Sequence, residues 1–353
     1  MQSSSPQKNP RRVLLTGAAG FIGSQLAREM CELGWQVFGV DDFSSGWKER
    51  LPMELPMFRF EAGDVSGRGR LAAWLRAEGP FDDLVHLAAR VGVRSVLRDP
   101  EGCRASNLRG VREIITAIES LPMEQRPRVY AASSSEVYAH KVGVLHESDV
   151  TRSTTATGRW AYAASKLRGE EILDDAQELW SEERQPLHLR FFNVVGPGQD
   201  SESGMVLPTF VECALRGTPL PVHGDGSQVR TFAHVDEIAR VLAKLIELDP
   251  VRGGALNIGG NARISIGELA QVVVRQAASA SSIQEIDPLH SCGANFEGIH
   301  YREPDLRRLR ELGLELPLAC LAEIVSDTVK FHLERARPSE STTRGPACAS
   351  PAS

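Results

Sequence analysis

The sequence predicts an α/β fold with a doubly wound parallel sheet, and two observations carry this prediction. Short, continuously apolar segments alternate with segments of helical periodicity through the first half of the 353 residues. Continuous apolar segments are typical of parallel strands that helices cover on both faces. In addition, a glycine-rich segment, TGAAGFIG (16–23), lies between the first such strand and the first helix, as it does in nucleotide-binding sheets.

Apolar composition and spacing place the elements along the chain. Within the first helix, Ile22, Leu26 and Met30 fall on one face, and Gly34 ends the helix. Buried strands are expected at 12–17, 36–42, 83–89 and 128–135, and helices at 21–34, 71–79 and 107–121.

The texture of the chain changes beyond about residue 195, where proline and glycine become frequent. This change predicts a smaller C-terminal lobe. The segment 231–248 has the pattern of a strand followed by a helix, which predicts that the chain returns to the first lobe. We therefore expect a first domain over 11–190 with a returning segment at about 229–258, a second lobe over 191–228 and 259–335, and disordered tails at 1–10 and 336–353.

The composition is that of an ordinary globular protein, with 42% apolar residues, 24% charged residues and a formal net charge of −6. This acidic balance argues against nucleic acid or an anionic membrane as a partner. The N-terminus lacks the apolar core of a secretory signal, and no apolar run approaches the ~18 residues of a membrane span. None of the six cysteines forms a CxxC pair, so we expect no metal site and a cytoplasmic location.

Glycines at 17, 20 and 23 give the spacing GxxGxxG between the first strand and the first helix. Gly17 permits the tight turn, Gly20 lets the backbone approach a pyrophosphate, and Gly23 allows the helix to pack closely. The N-terminus of the helix then offers N–H groups to phosphates. The pattern predicts a Rossmann-type first domain that binds a dinucleotide.

An acidic residue at the end of the second strand indicates which dinucleotide is bound. Asp41 lies eighteen residues after Gly23, near the ~20 expected for a carboxylate that holds the adenosine ribose. Such a carboxylate repels a 2′-phosphate, so NAD is favoured over NADP; Asp42 is the alternative residue for this role. Asp64 lies in a later loop from which it could reach the adenine amine.

Tyr162 and Lys166 are spaced i and i+4 in RWAYAASKLRGEEI (159–172), so both lie on one face of a helix. An ammonium beside a phenol favours the phenolate and lowers its pKa from about 10. Such a tyrosine can accept a proton from a sugar hydroxyl while the cofactor takes a hydride from the same carbon. The pair alone is only suggestive, because an exposed helix face with a surface lysine gives the same spacing.

Five segments carry a resemblance to a known family: TGAAGFIG, HLAA (86–89), the serine-rich strand end SSSE (133–136), YAASK (162–166) and RFFNVVGP (190–197). Together they resemble the extended short-chain dehydrogenase/reductase family, in particular its nucleotide-sugar epimerases and dehydratases, from about residue 12 to about residue 330.

The resemblance implies a catalytic triad of Ser134, Tyr162 and Lys166. Ser134 would hydrogen-bond the reacting hydroxyl, Tyr162 would act as base and later as acid, and Lys166 would bind the nicotinamide ribose. Ser135 and Glu136 would face the sugar as auxiliary residues. The residues implied to contact NAD are Gly17, Gly20, Phe21, Ile22, Gly23, Asp41, Asp42, Asp64, Val65, Leu87, Ala88, Ala89, Asn107, Tyr162 and Lys166.

The resemblance also implies a UDP-sugar substrate and a C-terminal lobe that binds it. Arg230 and Arg302 match arginines that bind the diphosphate, and an arginine fork suits paired phosphate oxygens. The plainer alternative is that these arginines pair with nearby acids, namely Asp225, Asp236 or Glu303. The residues implied to contact substrate are Arg94, Ser134, Ser135, Glu136, Tyr162, Asn193, Val206, Leu207, Val222, Arg230 and Arg302.

The favoured function is NAD-dependent C4 epimerisation of a UDP-sugar through a 4-keto intermediate, because the C-terminal segments resemble UDP-hexose 4-epimerases most. The sugar could be glucuronate, glucose or N-acetylglucosamine; Gly198 stands where relatives usually carry arginine, which would alter this choice. The alternative is UDP-glucuronate decarboxylation or NDP-hexose 4,6-dehydration with Glu136 as acid or base, since family decarboxylases carry the same Ser-Glu pair. A non-catalytic NAD-binding regulator is a remote third reading. The family also implies a homodimer, formed through the helices at 107–121 and 160–178.

Overall fold

The computed structural model describes residues 9–248, 253–287, 301–314 and 319–336, so the predicted tails lie almost entirely outside the described residues. Seven strands form the main sheet: β1 (Arg12–Thr16), β2 (Gln36–Asp41), β3 (Phe58–Ala62), β4 (Asp83–His86), β5 (Arg128–Ser134), β7 (Leu187–Phe191) and β11 (Gly254–Ile258). Their order is β11-β7-β5-β4-β1-β2-β3, and every neighbouring pair is parallel.

Helices cover both faces of this sheet. One face packs against α1 (Phe21–Glu32) and α7 (Val235–Leu248), and the other against α2 (Arg70–Glu78), α4 (Pro100–Glu119) and α5 (Ala161–Asp175). Residues of β1 alternate between the two apolar cores, with Val13 and Leu15 in the first and Leu14 in the second. All three side chains are fully buried, which is why β1 is continuously apolar. The predicted doubly wound parallel sheet is confirmed.

Three details differ from the sequence-based expectation. β3 was not predicted, because FRFEA lies at the edge of the sheet and only Phe58 of its five residues is buried. Helix α4 begins seven residues earlier than expected, at Pro100, where the Asp99 side chain accepts a hydrogen bond from the Gly102 N–H at 2.9 Å.

The third difference concerns the segment 231–248. Its strand, β10 (Val229–His234), pairs in a second sheet, and only its helix α7 returns to the main sheet. The strand that joins the main sheet from this part of the chain is β11, at the edge beside β7. An apolar strand pattern does not reveal which of two sheets a strand enters.

The second lobe combines two small sheets with helices. The larger sheet contains β6 (Val144–Leu145), β8 (Val194–Val195), β10, β12 (Ala262–Ser265) and β14 (Tyr301–Pro304); the smaller one pairs β9 (Leu220–His223) with β13 (Ile283–Ile286). The core of the lobe lies between α6 (Val206–Arg216), α8 (Ile266–Gln276) and α10 (Leu321–Ala336). Two short α-helices also lie in the described chain, α3 (Val93–Arg98) and α9 (Arg307–Glu311).

The described residues bear on the predictions about a membrane span, a metal site and helix pairing. Within the described ranges, no helix is both long and apolar enough to cross a membrane. In the same ranges, no cluster of His, Cys, Asp and Glu could hold a metal ion. Helices α4 and α5 pack against each other; the homodimer, the cytoplasmic location and the domain boundaries stay predictions.

Candidate active site

The glycine-rich turn fits a dinucleotide by its shape. Gly17 has φ +74°, and a Cβ atom there would lie 2.7 Å from the backbone nitrogen of Ala88. A Cβ atom on Gly23 would lie 2.0 Å from the Gly17 carbonyl oxygen. Only glycine therefore allows this turn to lie against the segment that follows β4 and against the start of α1. The backbone left bare by these glycines opens at the N-terminus of α1, where a pyrophosphate can be bound.

Asp41 is fixed beside this turn at the end of β2. Its Oδ2 accepts a hydrogen bond from the Ala19 N–H at 3.0 Å, and its Oδ1 accepts one from the Phe43 N–H at 2.8 Å. Burial raises the pKa of Asp41, and these two hydrogen bonds oppose that shift. Asp42 is exposed, and its Oδ1 accepts a hydrogen bond from the Ser44 N–H at 2.8 Å. The geometry favours Asp41 over Asp42 as the carboxylate that meets an adenosine ribose.

The other residues predicted to contact NAD lie at the carboxyl edge of the main sheet, where ligands bind in such folds. Asp64 is exposed after β3, and its carboxylate accepts hydrogen bonds from the N–H and hydroxyl of Ser66 at 2.7 and 2.9 Å. The remaining members stand at the start of α1, after β3 and after β4: Phe21, Ile22, Val65, Leu87, Ala88 and Ala89.

The predicted triad is brought together between β5 and α5. Ser134 is the last residue of β5, and Tyr162 and Lys166 lie one turn apart on α5. The Lys166 Nζ is 5.9 Å from the centroid of the Tyr162 ring and donates a hydrogen bond to the Ala132 carbonyl at 2.9 Å. A side-chain hydrogen bond joins Ser134 to Tyr162. Hydroxyl, phenol and ammonium therefore lie in one part of the structure, and their catalytic roles stay a prediction.

Burial dominates the electrostatics of this triad. It raises the pKa of Tyr162, the nearby carboxylate of Glu136 raises it further, and the hydrogen bond with Ser134 opposes both effects. Burial also lowers the pKa of Lys166 to about 8. The spacing of Tyr162 and Lys166 predicts a lowered pKa for the phenol. The pKa shifts in the opposite direction, because removing the phenolate from water outweighs the favourable groups around it.

Glu136 and Arg302 form an ion pair inside the site. The Arg302 Nη1 lies 3.4 Å from Glu136 Oε1, and the two side chains are 10% and 21% exposed. Ser134 Oγ accepts a hydrogen bond from the Glu136 N–H at 3.2 Å, which holds the carboxylate next to the triad. Arg302 thus pairs with an acid from the first lobe, and not with the acids that the sequence alternative named.

Arg230 stands beside Arg302, because the two residues are register partners on the neighbouring parallel strands β10 and β14. Burial lowers the pKa of Arg230 to about 9, and the positive charges of Arg302 and Arg159 add to this effect. The site therefore gathers three guanidinium groups around one carboxylate. Such a concentration of positive charge suits a ligand with several negative charges.

Asn107 and Asn193, which were predicted to contact ligands, form hydrogen bonds with other protein groups. The Asn107 side chain bonds the backbone of Arg90 at 2.8 and 3.2 Å and donates to Ser165 Oγ at 3.0 Å. It thereby ties the loop after β4 to α5. Asn193 has φ +26° and donates from Nδ2 to the Thr231 carbonyl at 2.9 Å, which ties β8 to β10. Direct contact of either residue with a ligand stays a prediction.

The remaining predicted substrate residues vary in exposure. Arg94 is exposed on α3, and Val206 is half-buried on α6. Leu207 is fully buried and Val222 is 4% exposed, both in the core of the second lobe. Contact of the Leu207 side chain with a ligand would require this core to open, so its packing argues for a structural role.

Sequence reasoning missed two groups that support the site. Arg50 donates a hydrogen bond to the carbonyl of Gly198, so a guanidinium from the first lobe reaches the segment that lacks the usual arginine. Glu170 accepts hydrogen bonds from Ser133 and Arg190 directly behind Ser134. Glu170 follows Lys166 by four residues, and this helical spacing was the available signal for it.

Comparison with known proteins gives the same family throughout. A model of the NAD dependent epimerase/dehydratase family matches residues 13–259. A UDP-N-acetyl-alpha-D-glucosaminuronate decarboxylase of Bacillus cytotoxicus is 31% identical over 92% of this chain and 98% of the relative. A UDP-glucose 4-epimerase of Mycolicibacterium smegmatis is 29% identical over 92% of this chain and all of the relative. The crystal structure of DesIV, a dTDP-glucose 4,6-dehydratase of Streptomyces venezuelae with NAD and TYD bound, has a TM-score of 0.78 and 26% identity, over 92% of this chain and 97% of that chain.

Proposed function

Since the chain belongs to the NAD dependent epimerase/dehydratase family, we propose that it decarboxylates a UDP-hexuronate with NAD as its cofactor. The activity that the family supports is an NAD-dependent transformation of a nucleotide sugar, and the named reactions of its relatives differ: decarboxylation, 4-epimerisation and 4,6-dehydration. The finer assignment depends on which groups surround the oxidised sugar.

The position of Glu136 carries the proposal. Its carboxylate lies 3.4 Å from Arg302 and acts electrostatically on Tyr162. Epimerisation requires proton and hydride transfer only at C4, for which Ser134, Tyr162 and Lys166 suffice. Decarboxylation also requires a proton at C5, and a carboxyl group beside the phenol is suited to deliver it. The relative with 31% identity is a decarboxylase of a UDP-hexuronate, UDP-N-acetyl-alpha-D-glucosaminuronate.

The residues of the site can perform each step of this reaction. The glycine-rich turn and Asp41 would hold NAD, which when bound takes a hydride from C4 and later returns it. Tyr162 would accept the proton of the C4 hydroxyl, which Ser134 orients. The C6 carboxylate is then that of a β-keto acid, so the C5–C6 bond breaks, carbon dioxide leaves, and the electron pair forms an enolate across C4 and C5. Glu136, in its protonated form, would give its proton to C5 and become a carboxylate, and Tyr162 would return its proton to the C4 oxygen.

The arginines support a substrate with several negative charges. A UDP-hexuronate carries a diphosphate and a carboxylate, and the register pair of Arg230 and Arg302 presents two guanidinium groups from one face of a sheet. Guanidinium forks bind phosphate and carboxylate oxygens in pairs. A UDP-hexose carries the charges of the diphosphate but no carboxylate.

C4 epimerisation, which the sequence analysis favoured, is the second candidate. The 29% identity to a UDP-glucose 4-epimerase over the whole length of that relative supports it. The two candidates differ in whether carbon is lost from the sugar.

Incubation of the purified protein with four sugars separates the candidates: UDP-glucuronate, UDP-N-acetylglucosaminuronate, UDP-glucose and UDP-N-acetylglucosamine. We expect mass spectrometry and proton NMR to show loss of carbon dioxide from one of the two UDP-hexuronates. We expect no reaction of UDP-glucose or UDP-N-acetylglucosamine. A product of unchanged mass with inverted C4 would favour epimerisation instead.

The Glu136→Gln variant tests the role of the carboxylate. We expect carbon dioxide release to fall by roughly 100-fold or more, the usual contribution of a positioned general acid, with the content of bound NAD unchanged. Glu119→Gln, at an exposed position of α4, is the matched control. Wild-type rates in Glu136→Gln would remove the basis of the proposal.

A further inference from the structure

A small polar cavity lies behind Lys166, between the main sheet and helices α4 and α5. Its volume is about 20 Å³, and its lining includes Asn107, Ser133, Ser165, Lys166, Glu170 and His188. A buried water needs a volume of roughly 10–15 Å³ by this measure and two to four polar partners. The cavity therefore has the size and the chemistry to hold one water molecule.

His188 connects this cavity to the surface. The residue lies on β7, is 1% exposed, and its Nδ1 is buried with no hydrogen-bond partner among the described residues. Its other ring nitrogen, Nε2, lies 2.8 Å from Oδ1 of Asp174, whose side chain is 53% exposed. Because a buried ring nitrogen without a partner is costly, a water in the cavity is the natural partner of Nδ1. The imidazole can then exchange protons between the cavity and an exposed carboxylate.

Lys166 is the inner end of the same path. It lines the cavity and stands 5.9 Å from the Tyr162 ring. Burial lowers the pKa of Lys166 to about 8, while Cys103 and Glu170 act to raise it, so the ammonium can exchange its proton near neutral pH.

The other charged groups around the cavity are committed elsewhere. Glu170 is paired with Arg190 at 2.6 Å. His86 also lines the cavity, but burial lowers its pKa to about 3, and its Nδ1 bonds Thr16 Oγ1 at 2.8 Å. His86 therefore stays neutral, and His188 is the imidazole through which the cavity reaches Asp174.

The proposed decarboxylation requires a supply of protons, and this step of the inference rests on that proposed function. Each turnover converts a carboxylate into carbon dioxide and places a new proton on C5, so one proton is consumed. An epimerase returns every proton that it removes and has no such demand. A proton that reaches Tyr162 through Lys166 can restore Glu136, whose carboxylate acts on the same phenol.

We propose that a water in this cavity and the imidazole of His188 form a proton path from Asp174 at the surface to Lys166 in the active site. The path runs from the cavity between the main sheet and α5 to Asp174, whose side chain is 53% exposed, so its outer end lies at the surface. His188 and Asp174 are thereby positioning residues for proton supply, because neither touches the reacting atoms.

A crystal structure of the protein tests the water directly. We expect density for one water within about 3 Å of both Lys166 Nζ and His188 Nδ1. A cavity without density would overturn the path, and this measurement does not depend on any activity.

Rate measurements test the function of the path. We expect His188→Leu and Asp174→Asn each to lower kcat for carbon dioxide release by roughly tenfold and to raise the solvent deuterium isotope effect, with KM and NAD content unchanged. Asp174→Asn changes only an exposed position, so it keeps the test valid if His188→Leu folds poorly. Asp175→Asn is the matched control, because Asp175 is the next residue, is 72% exposed and faces Arg168.

The possible outcomes separate the two proposals. If the wild-type protein releases carbon dioxide but both variants keep its kcat and isotope effect, the proton path is wrong and the proposed function stands. If the wild-type protein releases none from either hexuronate, the proposed function fails. The crystal structure then decides the path alone, in favour if the bridging water is present and against if the cavity holds none.

Discussion

Lys166 shows at the scale of one residue how burial sets chemistry. Its Nζ is held by the Ala132 carbonyl at 2.9 Å and lies beside the Tyr162 ring. The same burial that orients the ammonium also lowers its pKa, from 10.5 to about 8. The residue is therefore charged at neutral pH but near the point at which it loses its proton.

This shift predicts the pH dependence of activity. A lysine with a lowered pKa is an ammonium below about pH 8 and a neutral amine above it. Activity that requires the ammonium should therefore decline as the pH rises through about 8, as a plot of kcat against pH would show. The control is Lys166→Arg, whose guanidinium keeps its charge to above about pH 12. If that variant has residual activity with the same alkaline decline, the decline belongs to another group.

Helix α5 carries two ion pairs of the same residue types in different surroundings. Glu170 and Arg190 are each 7% exposed and join the helix to β7, with Nη2 and Oε2 at 2.6 Å. Arg168 and Glu171 are each 42% exposed and pair along the helix at 2.7 Å. The first pair fixes the rotation of α5 and so the direction of Tyr162 and Lys166, whereas the second pair borders solvent.

Removing one partner from each pair should therefore give unequal results. Arg190→Leu leaves the Glu170 carboxylate buried without its counter-charge, which should lower the free energy of unfolding by about 3–5 kcal/mol. Arg168→Leu should leave the free energy of unfolding nearly unchanged, since exposed pairs contribute little. Urea unfolding of both variants measures the difference. Equal decreases in the free energy of unfolding would mean that burial does not increase the contribution of the first pair to stability.

A stack of three side chains near the glycine-rich turn joins the two lobes of the molecule. Trp47, in the segment after β2, lies between two guanidinium groups, with Arg50 and Arg335 each 3.7 Å from its ring centroid. Arg335 belongs to α10 of the second lobe, and Arg50 also bonds the carbonyl of Gly198. The stack thus ties the last helix of the described chain to the NAD side of the first lobe.

Loss of this stack should increase the rate at which NAD dissociates. We expect Arg335→Met to speed NAD dissociation roughly two- to fivefold, because a cation–π contact at a partly exposed site is worth about 0.5–1 kcal/mol. The control is Arg59→Met. This variant removes an exposed arginine that pairs with Glu78 within the first lobe. Dissociation can be followed by the NAD retained after dilution. Identical rates in both variants would show that the stack does not bear on the cofactor.

Local patterns in the sequence determined the fold class and predicted the central residues of the candidate site. The glycine spacing at 17, 20 and 23, the acid at 41 and the pair Tyr162 and Lys166 are short-range features, and the strand and helix around each one fix its geometry. For the same reason the doubly wound sheet was predictable, because apolar strands and amphipathic helices alternate along the chain. The edge strand β3 could not be predicted in this way, because a half-exposed strand has too few apolar residues to form a recognisable pattern.

Only the tertiary structure decided which distant residues meet. Glu136 and Arg302 are 166 positions apart, and their contact depends on how the second lobe sits on the first. The direction of the Tyr162 pKa shift and the cavity between Lys166 and His188 likewise arise from packing of separate elements. Long-range pairing and desolvation have no periodic signature in a sequence, so the residues of the predicted triad could be named from the chain, whereas their pKa shifts and the pairing of Glu136 with Arg302 could not.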